Sequence, residues 1–120
     1  MSLNDVTLIG RLGKDPEFQE MPSGGSITKF SLATSESWKK KDSQEWEEKT
    51  SWHRVVYFRD LSNHKKENMK KGCLVMVKGK LSYGSYEKEG VKHYTTDINA
   101  HKVEIYVPKS NENSNDMPDF

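Results

Sequence analysis

The sequence predicts an all-β protein, a five-stranded barrel with one short helix between the third and fourth strands. Three observations carry this. Strand-like runs are separated by glycine- and proline-containing turns, and one helical stretch interrupts their order. Glycines fall inside strand patterns, where a sheet bends sharply to close. The chain has 120 residues, 32% hydrophobic and 31% charged, so its core is small and suits a barrel or an oligomer that shares apolar surface.

The first strand begins at Val6-Thr7-Leu8-Ile9 and is interrupted by Gly10 and Gly13. Residues 14–20, polar and with Pro16, read as a loop, and Met21-Pro22-Ser23-Gly24-Gly25 is a turn. The second strand covers residues 27–35, with Phe30 and Leu32 on one face and Lys29 and Ser31 on the other. Residues 36–49 are polar, contain Trp38, Lys39-Lys40-Lys41 and Trp46, and read as a hairpin projecting from the body. The third strand, residues 50–58, follows. Asp60 is the expected cap of a helix of about three turns, and Lys70-Lys71-Gly72 marks its end. The fourth strand, residues 73–83, places Cys73, Val75, Val77, Gly79 and Leu81 on one face. The fifth runs from His93 to Val107, with a bend expected near Asn99. Three strands, a helix and two strands is the layout of the OB-fold, a small Greek-key barrel used for oligonucleotides and oligosaccharides.

Net charge is +1, which excludes a uniformly basic nucleic-acid binder but not a local basic patch. The chain has nineteen basic and eighteen acidic side chains. One basic and three acidic ones lie beyond residue 108, which leaves the domain 18 against 15, net +3. The lone Cys73 fits a reducing cytosol. The opening residues have neither the basic start nor the apolar run of a secretion signal, and no membrane association is expected.

The run Trp52-His53-Arg54-Val55-Val56-Tyr57-Phe58 has two parities. Trp52, Arg54, Val56 and Phe58 share one face of a strand; His53, Val55 and Tyr57 share the other. Two rings and a guanidinium in a row are the parts needed to stack bases and neutralise phosphates, although the window alone also suits a half-buried strand. The neighbouring residues favour the first alternative. Trp38, Trp46, Tyr83 and Tyr86 interleave with Lys39, Lys40, Lys41, Lys49, Lys78, Lys80, Lys88 and Lys92, and three tryptophans within fifteen residues are hard to place in a small core. Catalysis has little support. His53, His64, His93 and His101 lack metal-ligand spacing, and no phosphate-binding loop or nucleophile elbow is present. No enzyme activity, cofactor or metal is expected.

Seven segments occur in one order: residues 10–17 (GRLGKDPE), 21–25 (MPSGG), 32–38 (LATSESW), 50–56 (TSWHRVV), 71–72 (KG), 79–81 (GKL) and 94–96 (YTT). Together they resemble a bacterial single-stranded DNA-binding protein over residues 4–107. The resemblance implies a homotetramer of OB-folds that wraps single-stranded DNA without sequence preference, in the cytoplasm at the nucleoid. Trp38, Trp52 and Phe58 match the family's stacking aromatics and Arg54 a basic residue beside them. Tyr86 falls where many members carry a further stacking tryptophan. Lys39, Lys49 and Lys80 complete the expected DNA-binding set. His53 matches a position that supports subunit packing, and Met76 one used at the oligomer interface. Ser82 and Gly84 stand where some members have arginines, so phosphate contacts along that edge are expected to be weaker. Trp46 lies outside the family pattern and reads either as an added stacking platform or as an exposed ring without a partner.

The domain is expected to span residues 1–108, followed by a disordered acidic tail, 109–120. Family members end in an acidic Pro-Phe tip that recruits replication, recombination and repair proteins. Asp116, Met117, Pro118, Asp119 and Phe120 match it here, with a shorter acidic run and linker that suit a phage- or plasmid-borne member. Two other readings share the barrel. An OB-fold primosome accessory protein would be dimeric and would lack the acidic tip and full tryptophan set, and a metal-dependent nuclease would cut its substrate.

Overall fold

The computed structural model describes residues 1–107. The residues of the proposed tip, Asp116, Met117, Pro118, Asp119 and Phe120, lie outside them.

The strands are β1 (Val6–Leu12), β2 (Glu17–Glu20), β3 (Ser26–Lys39), β4 (Trp46–Tyr57), β5 (Leu74–Lys88) and β6 (Val91–Val107), with helix α1 (Asn63–Asn68) between β4 and β5. The hydrogen-bonded order is β1-β5-β6-β4-β3-β2, and a further β1–β3 pairing closes five of the strands into a barrel. β4 and β6 run parallel, and the other pairs are antiparallel. This is the OB-fold the sequence predicts, with one strand added.

Closure depends on β1 serving two neighbours. Val6–Arg11 pairs with β5, while Arg11 and Leu12 pair with Ala33 and Leu32 of β3. The strand therefore bends around Gly10, where a Cβ would lie 2.1 Å from the Ala33 carbonyl oxygen. Only glycine permits that approach. On β6, the pairing skips His101 between Ala100–Gly79 and Lys102–Lys78, a bulge that puts the expected bend one to two residues past Asn99.

The core is filled by alternate residues of the strands. Phe30 and Leu32 of β3 face Val55 of β4, and Val75 and Val77 of β5 meet Val103 of β6. Leu61 and Met69, which flank α1, plug one end of the barrel beside the buried Cys73. Burial pushes the Cys73 thiol above its ordinary pKa, because a thiolate there would lose its water.

Three expectations needed correction. Residues 17–20 form an edge strand rather than a loop. All four side chains are exposed, so pairing with β3 holds it without an apolar face. The helix has six residues, not three turns, and its cap is Ser62, whose Oγ accepts from the Lys65 amide at 3.3 Å. Asp60 instead accepts a hydrogen bond from Ser26. The fourth and fifth predicted strands run further than expected, to Lys88 and from Val91, so β5–β6 extends as a second arm beside the projecting β3–β4 hairpin that the sequence predicts.

Candidate nucleic-acid interface

The register of each arm decides which side chains share a face. From Thr28–Tyr57 to Lys39–Trp46, β3 and β4 pair without a slip. Phe30, Leu32, Val55 and Tyr57 point to the core, and so does the parity that continues outward through Thr34, His53, Lys49 and Trp38. The opposite parity carries Trp52, Arg54 and Val56, and at the arm's end Trp46 opposite Lys39. Phe58, one residue past β4, is exposed.

The β5–β6 arm continues this outer surface. Leu81 opposite Ile98 belongs to the core side, so Lys80–Asn99, Ser82–Asp97, Gly84–Thr95 and Tyr86–His93 make up the outer row. Since β6 runs beside β4, with Val56 opposite Asn99, the two outer rows adjoin. Trp52, Arg54, Phe58, Lys80 and Tyr86 therefore lie on one continuous strip across β4, β6 and β5. Trp38 and Lys49 lie on the other face of the β3–β4 arm, separated from the strip by the thickness of the two-stranded ribbon.

Local contacts hold several of these groups in place. Trp52 is 62% exposed, yet its ring lies so near Gly13 that a Cβ there would be 2.3 Å from it. The missing side chain leaves room for the six-membered ring of the indole. Arg54 Nε sits 3.2 Å from Asp97 Oδ1, with the arginine largely exposed and the aspartate mostly covered. Asp97 Oδ1 is itself buried and accepts no aligned hydrogen bond, so the contact is an ion pair that leaves much of the guanidinium in solvent. Tyr86 stacks on His93, with ring centroids 5.1 Å apart and planes 18° from parallel. Phe58 and Lys80 line one cleft together with Asn99 and His101.

The residues expected at an oligomer interface sit elsewhere. His53 is half-buried at the root of the arm, its Nε2 2.8 Å from Thr34 Oγ1. Met76 points away from the barrel core on β5, between Ile9 of β1 and Glu104 of β6, and is 9% exposed. The sequence places Gly13 at a strand bend and His93 at a strand start, and assigns neither of them, nor Asp97, to this surface. Asp97 and His93 stand opposite Ser82 and Tyr86 on the β5–β6 arm, while Gly13, just past β1, is no ladder partner of Trp52 and meets its ring only through the closure of the barrel. Among the described residues, no group of three or more His, Cys, Asp or Glu side chains could hold a metal ion, and no helix is long and apolar enough to cross a membrane.

A closed five-stranded barrel with an exposed aromatic and basic strip is the architecture of an oligonucleotide-binding domain. The model of the single-strand binding protein family matches residues 3–106. The single-stranded DNA-binding protein of Neisseria meningitidis serogroup B is 40% identical over 119 residues, 98% of this chain and 67% of that one. Single-stranded DNA-binding protein 1 of Xylella fastidiosa is 42% identical over 113 residues, 93% of this chain and 83% of that one. Among solved structures, the Plasmodium falciparum SSB complex with single-stranded DNA superposes with a TM-score of 0.72 at 29% identity, covering 89% of this chain and 96% of that one. The chain belongs to the single-strand binding protein family.

Proposed function

We propose that this protein coats and protects single-stranded DNA without sequence preference, as a cytoplasmic binding protein without catalytic activity. The observation that carries this is the continuous outer strip of Trp52, Arg54, Phe58, Lys80 and Tyr86. Rings take bases by stacking, which every base permits, and cations take phosphates, which every nucleotide carries. Trp38, Lys39 and Lys49 on the β3–β4 arm serve the same strand as it passes around the arm. Family membership and the likeness to a structure containing single-stranded DNA support the reading.

The working unit is a homotetramer, in which Met76 lies in a subunit interface and His53 supports the packing. The domain ends near residue 108. The segment beyond it offers Asp116 to Phe120 to replication, recombination and repair proteins, with Phe120 and the aspartates received by an apolar pocket rimmed with basic side chains. Titration with poly(dT) at low salt, followed by tryptophan fluorescence, tests the DNA reading. Quenching that weakens as salt rises is expected; unchanged fluorescence with no bound complex contradicts it. Intact labelled single strands after incubation with magnesium or calcium are expected, and cleavage would point to a nuclease instead.

A further inference from the structure

Trp46 matches no position of the family pattern read from the sequence, and the fold gives it a definite place. It is 68% exposed, more than Trp38, Trp52 or Phe58, at the start of β4 where the barrel core does not reach. The unbroken register puts it on the parity of Trp52 and Arg54, not on that of Trp38. Directly opposite it on β3 stands Lys39. A ring beside a cation thus recurs at the arm's end on the face where Trp52 and Arg54 lie nearer the barrel.

The surface between the two tryptophans is low. On this face β3 contributes Ser35 and Ser37, and β4 contributes Glu48 and Thr50. Ser35 and Thr50 hydroxyls meet at 3.2 Å across the ribbon. Three of the four side chains are short and hydroxylic, so they leave room for a strand and can donate to phosphate; Glu48 is the acid among them. Trp46 and Trp52 are six residue steps apart on β4, about 20 Å. At the rise of a stacked strand this is about six nucleotides, fewer if the strand is stretched.

We propose that Trp46 and Lys39 form an outer stacking station that extends the single-stranded DNA path along one face of the β3–β4 arm. This rests on the DNA-binding function proposed above. A ladder of dT oligomers offered to the wild-type chain and to Trp46→Ala, Trp46→Phe and Trp52→Ala variants tests it. Trp46→Ala is expected to lose about five- to hundred-fold in affinity for long oligomers and nothing for the shortest bound ones, with Trp46→Phe close to wild type. With Trp38→Phe and Trp52→Phe leaving Trp46 as the sole tryptophan, long oligomers are expected to quench its fluorescence. Wild-type affinity of Trp46→Ala at every length, with Trp52→Ala impaired, would overturn the station while leaving the DNA-binding function standing. Unchanged affinity combined with dissociation of subunits in sedimentation would overturn it in favour of a protein contact. Failure of the wild-type chain to bind any oligomer would overturn the underlying function.

Discussion

On β4, His53, Val55 and Tyr57 leave the backbone in one direction, and Trp52 and Arg54 leave it in the other. Val55 is fully buried, while Trp52 is 62% exposed. The first row meets Phe30 and Leu32, with Val55 sealed from water and His53 and Tyr57 half-buried. The second has partners that hold its groups without covering them: Gly13 under the Trp52 ring and Asp97 beside Arg54. One strand can therefore anchor a small core and present a binding surface, because changes on one face need not disturb the other.

The largest effect that separates the rows is expected in the core. Leu32, opposite His53, is fully buried, and Leu32→Ala should cost about 2–5 kcal/mol of stability by urea unfolding, with the folded fraction binding DNA as before. On the outer row, Trp52→Ala should lower affinity for dT oligomers by about 1–3 kcal/mol while the unfolding free energy changes far less than for Leu32→Ala. If Trp52→Ala unfolds as readily as Leu32→Ala, the indole is a core residue and the separation fails.

A smaller effect concerns Arg54. Asp97 holds the guanidinium and, on the proposed DNA-binding function, competes with phosphate for it. Asp97→Asn should raise affinity, by less than about 1 kcal/mol because the arginine is largely exposed, and the gain should shrink as salt screens it. Weaker binding by Asp97→Asn at all salt concentrations would show that positioning Arg54 outweighs the competition.

The alternation along β4 could be read from Trp52 to Tyr57, and the neighbouring aromatics and lysines, not the window itself, told which row faces outward. The arms were less legible. Which face Trp38 takes relative to Trp52 depends on where β3 turns into β4, and the polar residues 40–45 do not announce that register. β2 was missed because its exposed side chains show no apolar alternation. Asp60 reads as the cap from its local sequence, but the distant Ser26 engages it and Ser62 caps α1 instead. Asp97 and Gly13 are contacts between strands far apart in sequence, which no local pattern encodes.

The smallest effect belongs to the core side and to pH. Burial raises the Cys73 pKa, so the folded chain holds the thiol proton more tightly than the unfolded chain. That contribution is complete below the unfolded thiol's pKa and declines as pH rises above about 8.5 toward the folded value. Cys73→Ala should therefore lose stability less steeply on the alkaline side. An identical slope in both chains would mean that the thiol is not the titrating group.

Side-chain NMR of the folded protein during a dT titration observes both rows at once. The indole N–H of Trp52 and the Nε–H of Arg54 are expected to shift in proportion to bound DNA, while the methyl groups of Val55 stay in place. Shifts of the Val55 methyls without movement of the Trp52 and Arg54 signals would contradict the assignment of the outer row to DNA.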